Sequence, residues 1–450
     1  MSGSRPPFER TVPVAEAGRR AATGLTALGL RAELTEMGAG RDPTAWFCRL
    51  SGRGTGPYSS GMGKGRPAQA RVGALFEAVE HHLTGPAGFD PAAVEPAGPA
   101  VIAAGLPRED PCALVMAGMP GRRMACLRYR PLGGGPERPV PLFLSAPWYV
   151  ETGAARLRAL VADDCDYTQL MRYSCNSGSA AGVTAAEALL HALNETIERD
   201  ALSLLLVRTF LGRRTSRLRL IDPGTLPYEL ARAYATAAEL AGSPVRLLDI
   251  TSDLAVPTVL AYTAPTARQP HRRGAGTSLS PAHAAWRALA ELVQTTLGER
   301  LRSSGTRGEP AGPAAHPALR ACGRFDLTGA LREARVIPFP QAGAVTGASA
   351  GQLWGMAGTP EGRLWGMAGT SAGQLAGMTG APAVQLRQVA GMLAARGHHV
   401  YHRTVAALPG EVTVVHVIVP ALERFMLITD GNLVVPGRRG LAATTKPSFP

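Results

Sequence analysis

Pairs of oxygen-bearing side chains, spaced three residues apart, occur in three Ala/Leu-rich segments of this chain. They are Glu77 and Glu80, Glu195 and Glu198, and Glu291 and Gln294. The segments have helical composition, and residues i and i+3 share one face of a helix. Two such pairs brought together place four carboxylates side by side, where they repel one another unless cations lie between them. The spacing therefore predicts a magnesium–nucleotide site.

The composition limits the kinds of partner that the protein can have. The chain has 450 residues and is 45% hydrophobic, which is enough for one large core or for two to three domains. Its net charge of +13 comes almost entirely from arginine, because Lys64 and Lys446 are the only lysines. A basic balance suits anionic partners such as a nucleotide or an acidic peptide. Aromatic residues are only 5% and interleave with no basic run, so we predict no nucleic-acid binding.

The compartment is predicted from the cysteines and the apolar runs. The six cysteines form no CxxC pair, which favours reduced, mostly buried thiols over a zinc site or a disulfide framework. Residues 1–10 are polar and contain no apolar signal core. The longest apolar runs, such as residues 201–207, are too short to span a bilayer. We therefore expect a soluble, cytoplasmic protein without membrane contact.

Strand patterns alternate with helical ones, which predicts an α/β fold with mixed (α+β) layers. Because the ExxE helices repeat, we predict duplicated helix-on-sheet halves around one central nucleotide cleft. Helices are predicted over residues 13–39, 68–83, 184–208, 281–299 and 383–396. Strands are predicted at the start of 45–60, within 124–146, and at 244–250, 256–262, 399–406 and 411–419. Gly-rich loops are predicted at 61–65, 176–182 and 264–280.

An 11-residue repeat occupies residues 348–380, where Leu-Trp-Gly-Met at 353–356 and 364–367 is followed by Leu-Ala-Gly-Met at 375–378. Repeated glycine argues against a right-handed coiled coil despite the period. We predict a flexible insertion, and a peptide-contacting flap that uses the Trp and Met side chains is the alternative. The predicted divisions of the chain are 1–60, a core over 61–345 with the acidic motifs, the insertion at 346–382, and 383–450.

Four motifs in the same order resemble the signatures of YcaO-domain proteins. The first is Gly-Lys-Gly at 63–65 with the ALFEAVE segment that follows, and the second runs from Asn176 to Ala201. The third is Thr277 to Pro281 with the following AAWRALAELVQ, and the fourth is VHVIVP at 415–420 with the later VVPGRR. The resemblance extends over residues 14–440 and leaves the 348–380 repeat unmatched.

The resemblance implies that ATP and Mg²⁺ are used to activate a backbone amide oxygen in a peptide. In the azoline-forming branch, a Cys, Ser or Thr side chain attacks the preceding amide carbonyl. The resulting oxygen takes the γ-phosphoryl group of ATP, and phosphate then leaves to give a thiazoline or oxazoline. The alternatives are thioamide or amidine formation by the same activation, and a YcaO-like scaffold that binds nucleotide or a partner without turnover.

The resemblance also implies site residues, position by position. Glu77, Glu80, Glu195 and Glu198 match the family's magnesium-holding pairs. Arg199 would neutralise a phosphate, and Lys64 would bring a compact ammonium to one, with flanking glycines that let the backbone approach closely. Gln294 would hydrogen-bond a base or ribose. The residues predicted to bind the cofactor are Lys64, Glu77, Glu80, Glu187, Glu195, Glu198, Arg199, Arg287, Glu291 and Gln294.

Several of these residues also have simpler interpretations. ExxE pairs are common on solvated helix faces, Lys64 fits a surface turn, and Glu187 fits a helix-surface charge. The sequence departs from the family pattern at three positions, where Gly73 replaces a frequent Ser, His81 a frequent Arg, and Thr296 a frequent basic residue. The histidines are interpreted as surface or nucleotide-edge residues rather than metal ligands.

The chain ends in Pro447-Ser-Phe-Pro450, which resembles the proline-rich C-terminus of azoline-forming members but lacks the middle proline. In those members this end lies near the catalytic centre, so the free carboxylate of Pro450 is predicted to be a catalytic base. A disordered terminus is the alternative.

The predicted partners follow from the same resemblance. A precursor peptide is the substrate, and no domain of the chain is suited to grip its leader, so we expect a separate leader-binding partner protein. The basic surface suits an acidic leader. A flavin-dependent azoline dehydrogenase and a homodimer are further partners left open. A flavin dehydrogenase encoded nearby would favour azole synthesis, whereas a neighbouring TfuA-type protein would favour thioamidation.

Overall fold

Within the part of the chain that the structure describes, three β-sheets form the framework and strands alternate with helices, so the predicted α/β class is confirmed. The computed structural model describes residues 8–52, 59–106, 109–212, 217–266, 270–301, 313, 315–343 and 382–445. The 348–380 repeat and Pro450 lie outside these residues, so the predictions made for them stay predictions. The division of the chain at 60, 345 and 382 also stays a prediction.

The first sheet has the order β1-β2-β3 and is antiparallel. Its strands are Arg31–Glu36 (β1), Thr44–Ser51 (β2) and Ser60–Gly65 (β3), and it lies between helices α1 (Val14–Ala27) and α2 (Pro67–Thr84) in the chain. The predicted helix over 13–39 is therefore wrong beyond Ala27. The chain turns at Gly29, whose φ of 67° is in the left-handed region, and the next residues pair with β2.

The second sheet has the order β4-β5-β13-β14-β7, with β6 paired to β5. Its strands are Glu95–Ala97 (β4), Met124–Pro131 (β5), Arg138–Pro141 (β6), Ser179–Gly182 (β7), Tyr401–Leu408 (β13) and Val412–Ile418 (β14). Helix α6 (Ala185–Leu206) packs on β7 and β14, and most of its residues are buried, which is typical of a helix in the core. Between β4 and β7 the chain forms α3 (Pro99–Ala104), α4 (Pro111–Ala117) and α5 (Ala155–Leu160).

The third sheet has the order β11-β10-β9-β8-β12, and its β8–β12 pair is parallel. Its strands are Arg219–Ile221 (β8), Arg246–Asp249 (β9), Thr258–Thr263 (β10), Arg272–Thr277 (β11) and Arg335–Ile337 (β12). Helices α7 (Tyr228–Ala241) and α8 (Pro281–Gly298) share an apolar core with this sheet. The remaining helices are α9 (Pro317–Gly323), α10 (Thr328–Leu331), α11 (Pro382–Ala394) and α12 (Arg438–Thr445).

The three predicted Gly-rich loops contain strands in the structure, namely β3, β7 and β11. Glycine is depleted in strands, but it is used where another backbone approaches closely. A Cβ at Gly63 would lie 1.9 Å from the carbonyl oxygen of Ala70 on α2, and one at Gly276 would lie 2.2 Å from that of Ala284 on α8. Gly63 and Gly276 therefore serve helix–strand packing, and the role of the glycines beside Lys64 in approaching a phosphate stays a prediction.

The predictions of helices at 68–83, 184–208 and 281–299 are confirmed by α2, α6 and α8 to within a few residues. All six cysteines lie in the described residues and all are free thiols, as predicted. Among the described helices, none combines the length and the hydrophobicity that crossing a membrane requires.

Candidate functional site

Each motif helix packs on the strand that precedes it, and that strand also contacts the helix of another unit. β3 precedes α2 and contacts α8, β11 precedes α8 and contacts α6, and β7 precedes α6 and contacts α2. The three strand–helix units thus form a closed ring of contacts. The ring explains how pairs that are far apart in the sequence reach one another.

Two polar contacts between β3 and α8 join the first unit to the third. The Lys64 ammonium forms an ion pair with the Glu291 carboxylate, and Gln294 donates a hydrogen bond from Nε2 to the carbonyl oxygen of Met62. Burial alone would raise the pKa of Glu291, but the positive charges of Lys64 and Arg199 hold that pKa below its ordinary value. Glu291 is therefore ionised and surrounded by cations.

Glu77 and Glu80 join the first unit to the other two. Burial raises the pKa of Glu77, and the nearby Glu291 raises it further, while His81 and Lys64 lower it. Burial also raises the pKa of Glu80 well above its ordinary value, and the negative charges of Glu195 and Glu77 add to the shift. A carboxylate on α6 thus raises the pKa of Glu80, and one on α8 raises that of Glu77. Both effects are expected if the three motif pairs lie close together.

Glu195, Glu198 and Arg199 form the part of the cluster on α6. Arg199 Nη2 lies 3.2 Å from Glu195 Oε1, and Arg199 Nη1 lies 3.9 Å from Glu198 Oε1. The Glu198 side chain is only 3% exposed. Burial, together with the negative charge of Glu291, raises its pKa to about 7. At neutral pH the protonated and the ionised forms of this carboxyl group are therefore both populated.

Two residues of α6 belong to the cluster but were not predicted to bind the cofactor. His191 accepts a hydrogen bond at Nδ1 from Arg287 Nη1, at 3.1 Å, and burial with the positive charge of Arg287 keeps its pKa well below the ordinary range. Its side chain is partly buried, and its interpretation as a surface or nucleotide-edge residue stays a prediction. Asn194 is 1% exposed, and neither polar atom of its amide has a hydrogen-bond partner. Their spacing of four and seven residues from Glu187 places them on its helix face, a signal present in the sequence.

Glu187 lies in the first turn of α6 and is 5% exposed, so its interpretation as a surface charge is wrong. Its carboxylate accepts a hydrogen bond from the backbone N–H of Thr11 at 2.9 Å and lies 3.6 Å from Arg10 Nη1. The neighbouring Glu9 accepts a hydrogen bond from Ser278 Oγ at 2.5 Å. The N-terminal segment 8–12 therefore bridges the beginnings of α6 and α8.

Of the three residues that depart from the family pattern, two make local hydrogen bonds and the third has space for a Cβ atom. His81 Nδ1 lies 2.7 Å from the carbonyl oxygen of Ser60, and Thr296 donates to the carbonyl oxygen of Leu292 at 2.8 Å. A Cβ added at Gly73 would lie 3.5 Å from the Cα of Gly63, which is an ordinary contact distance. None of the three breaks the ring of strand–helix contacts.

The chemistry of these side chains fits magnesium and phosphate. Oxygen donors are the ligands that Mg²⁺ prefers, and burial, with a further contribution from neighbouring carboxylates, raises the pKa values of Glu77, Glu80 and Glu198. The Nε atoms of Arg199 and Arg287 are buried without hydrogen-bond partners. Because buried donors are usually paired, these two are suited to donate to a bound anion. Within the described residues, no three His, Cys, Asp or Glu side chains already converge closely enough to hold a metal.

The family profile described as YcaO cyclodehydratase, ATP- and Mg²⁺-binding, matches residues 62–423. The chain belongs to the YcaO family. ATP and Mg²⁺, the cofactors predicted from the sequence, are thereby confirmed as those of its family.

Two relatives match this YcaO chain over a shorter stretch. An uncharacterized protein in the tfuA 3′ region of Rhizobium leguminosarum bv. trifolii is 34% identical over 130 residues, which is 27% of this chain and 30% of the relative. An uncharacterized protein of Methanothermobacter thermautotrophicus is 37% identical over 125 residues, which is 27% of this chain and 31% of the relative. The matched stretch is thus less than a third of either relative.

Solved structures show the same fold. YcaO from Methanopyrus kandleri, bound with AMPPCP and Mg²⁺, superposes with a TM-score of 0.59 at 18% identity and covers 98% of each chain. A heterocyclase in complex with substrate and cofactor gives a TM-score of 0.58 at 16% identity, covering 93% of this chain and 54% of the other. The E. coli microcin synthetase McbBCD complex with pro-MccB17 bound gives 0.51 at 10% identity, with 93% and 96% covered.

Proposed function

We propose that this YcaO protein is an ATP-dependent cyclodehydratase that converts Cys, Ser or Thr residues of a precursor peptide to thiazoline or oxazoline. The observation that carries the proposal is the ring of strand–helix units, which brings all three motif pairs and their cations into one cluster. The heterocyclase and the microcin synthetase among the structural neighbours support the choice of azoline chemistry.

Each residue predicted to bind the cofactor has a proposed role. Glu77, Glu80, Glu195 and Glu198 would hold Mg²⁺, which supplies charge neutralisation for the phosphates when it is bound. The unpartnered Nε–H groups of Arg199 and Arg287 would donate to phosphate oxygens, with Lys64 as a further positive charge. Glu187, Glu291 and Gln294 complete the proposed cofactor contacts, and the last two are positioned by β3.

The proposed catalytic base is the C-terminal carboxylate of Pro450. The described chain ends in α12, which is anchored to α6, since Arg439 contacts both Asp200 oxygens at 2.8 and 2.9 Å. Residues two apart on a helix lie on different faces, so this anchor does not itself bring the tail to Glu198, and the role of Pro450 is proposed from the family resemblance alone. On this proposal, deleting residues 447–450 should abolish ring formation and leave nucleotide affinity unchanged. Ring formation at the full-length rate by the truncated protein would exclude the tail from catalysis.

Thioamide formation is the second candidate function. The relative in the tfuA 3′ region favours it, because a TfuA-type neighbour is the partner expected for that chemistry. The two outcomes differ in the mass of the product. An azoline has lost one water, whereas a thioamide has exchanged an amide oxygen for sulfur.

The deciding experiment is mass spectrometry of a precursor peptide encoded beside this gene, incubated with the protein, ATP, Mg²⁺, inorganic sulfide and a co-encoded leader-binding protein. We expect loss of one water per modified residue, and no change when Glu198→Gln replaces the native chain. A peptide of unchanged mass, with no ATP consumed, would contradict the proposal. A gain of sulfur would favour thioamidation.

A further inference from the structure

Asn194 on α6 is a buried amide for which the described part of the chain provides no hydrogen-bond partner. The residue is 1% exposed, and neither its Oδ1 nor its Nδ2 is paired. An amide oxygen can accept and an amide nitrogen can donate twice, so burying both unpaired is unfavourable. Buried polar groups without a partner are rare in native structures, and a ligand, an ion or a water usually accounts for them.

The helix places this amide beside a motif carboxylate. Glu198 is one turn further along α6, and residues four apart on a helix have Cβ atoms about 5–6 Å from each other. Long side chains on a helix lie back over the preceding turn, so the almost fully buried Glu198 side chain extends over the turn that holds Asn194. The two side chains form no hydrogen bond with each other, since both polar atoms of Asn194 are unpaired.

The position beside Glu198 favours a cation over an anion. A phosphate bound between Asn194 and Glu198 would lie against a carboxylate and be repelled, whereas a cation is attracted by both oxygen-bearing side chains. The contact between Glu198 Oε1 and Arg199 Nη1 is 3.9 Å, longer than a hydrogen bond, and leaves the carboxylate able to bind a further cation. Asparagine amide oxygens are established ligands of hard divalent cations.

A neutral oxygen also suits the charge of the site. The three motif pairs already supply five carboxylates, from Glu77, Glu80, Glu195, Glu198 and Glu291. A sixth carboxylate would add repulsion whenever no metal is bound, but an amide supplies an oxygen ligand without a charge.

We propose that Asn194 is a further metal ligand of this site and binds Mg²⁺ through Oδ1, beside Glu198. The inference rests on the magnesium site of the proposed function and adds to it a neutral ligand from a position outside the three motif pairs. It accounts for the unpaired amide, because the oxygen gains its partner when the metal is bound.

Asn194→Leu tests the inference through two effects of opposite sign, because leucine has a similar volume and no polar atom. Without metal, the variant should melt a few degrees above the native protein, since an unpaired buried amide has been removed. With AMPPCP, a non-hydrolysable analogue of ATP, half-maximal nucleotide binding should need at least about tenfold more Mg²⁺. A lower melting temperature of the metal-free variant would show that the amide is already satisfied, by a buried water for example, and would overturn the inference.

Two further variants separate metal binding from packing. Asn194→Asp keeps an oxygen ligand, so it should need no more Mg²⁺ than the native protein, although its added charge should lower the melting temperature without metal. Gln385→Leu is the matched control, because it removes another amide, 2% exposed, from α11, which packs on α6. It should leave the Mg²⁺ requirement unchanged. An Asn194→Asp variant as impaired as Asn194→Leu, or the same loss in Gln385→Leu, would contradict ligation by Oδ1.

Electron–nuclear double resonance observes the ligand directly. Mn²⁺ takes the place of Mg²⁺ because both accept octahedral oxygen sites, and the protein carries ¹³C only in its three asparagines, Asn176, Asn194 and Asn432. Coordination through Oδ1 places the amide carbon about 3 Å from the metal. We expect the corresponding ¹³C coupling in the complex with Mn²⁺ and AMPPCP, and its loss in Asn194→Leu. A complex without this coupling would exclude Asn194 as a ligand, and this measurement stands even if Asn194→Leu fails to fold.

Ring formation distinguishes the failure of this inference from the failure of the proposed function. An unchanged Mg²⁺ requirement in Asn194→Leu would overturn the inference even if the native protein forms rings. A raised requirement with the ¹³C coupling present would uphold it even if no precursor peptide is ever cyclised. Nucleotide binding by the native protein that is independent of Mg²⁺ would remove both Asn194 and the four glutamates from a metal site.

Discussion

Lys64 on β3 and Glu291 on α8 form an ion pair that joins the first strand–helix unit to the third, across 227 positions of the sequence. Their side chains are 26% and 21% exposed, so water screens the pair only in part. Burial raises the pKa values of Glu77 and Glu198, and the negative charge of the same Glu291 carboxylate raises both further. The pair therefore links the two units, and the Lys64 ammonium also offsets part of the negative charge of the cluster.

Lys64→Met tests this link, because it keeps the length of the side chain and removes its charge. Glu291 would lose its nearest cation and the pKa of its carboxyl would rise. We expect the free energy of unfolding to fall by about 1–3 kcal/mol, less than for a fully buried pair. Denaturant unfolding measures it, with Glu291→Gln and the double variant completing a cycle. Additive losses in the double variant would show that the two residues do not interact.

Glu198→Gln should separate stability from function. The pKa of Glu198 is about 7 in the folded state, above its unfolded value, so the folded protein binds this proton more tightly than the unfolded chain does. Stability is therefore lost as pH rises from about 4.5 through 7. Metal-free Glu198→Gln should therefore be more stable than the native chain near pH 8, by on the order of 2 kcal/mol, and equal to it near pH 4. ATP turnover should fall by at least about two orders of magnitude.

Thermal melting across pH, without metal, and a phosphate-release assay measure the two effects of Glu198→Gln. A variant that is less stable than the native protein near pH 8 would contradict the crowding of carboxylates. Near-normal turnover would remove Glu198 from the proposed magnesium site.

Arg439 anchors the last described helix. Its partner Asp200 has a fully buried side chain, and Arg439 also contacts Asp253 at 2.7 Å. Breaking a buried pair leaves an uncompensated charge, so Arg439→Met should cost about 3–5 kcal/mol of unfolding free energy. The exposed neighbour Arg438 gives the matched control, and Arg438→Met should change stability by no more than about 0.5 kcal/mol. Equal effects of the two substitutions would show that the Asp200 pair does not anchor α12.

The helices α2, α6 and α8 could be predicted from the sequence because each motif combines helix-forming residues with acidic residues on one face. β3 and β11 could not, because glycine indicates a loop unless the helix it packs against is known. The Lys64–Glu291 pair depends on ring closure, which no local pattern encodes. His191 and Asn194 had a signal in their spacing, but Glu187 had to be known to be buried before their shared helix face indicated a site.

Glu9 gives a prediction with the opposite pH dependence to Glu198. The residue is 4% exposed and has a φ of 59°, a conformation that a non-glycine side chain keeps only where its surroundings hold it. Burial alone would raise the pKa of Glu9, but the hydrogen bond and charge of His283, with Arg287 and Ser278, lower it.

A carboxyl whose pKa is lowered by folding stabilises the protein at pH values above its unfolded pKa, and that stability is lost as pH falls through its folded pKa. Glu9→Gln should thus be less stable than the native protein near pH 7, by about 1–2 kcal/mol, and no different near pH 3. Melting curves at both pH values test this, with the exposed Glu33→Gln as control. A constant difference at both pH values would show that the loss comes from packing and not from the Glu9 charge.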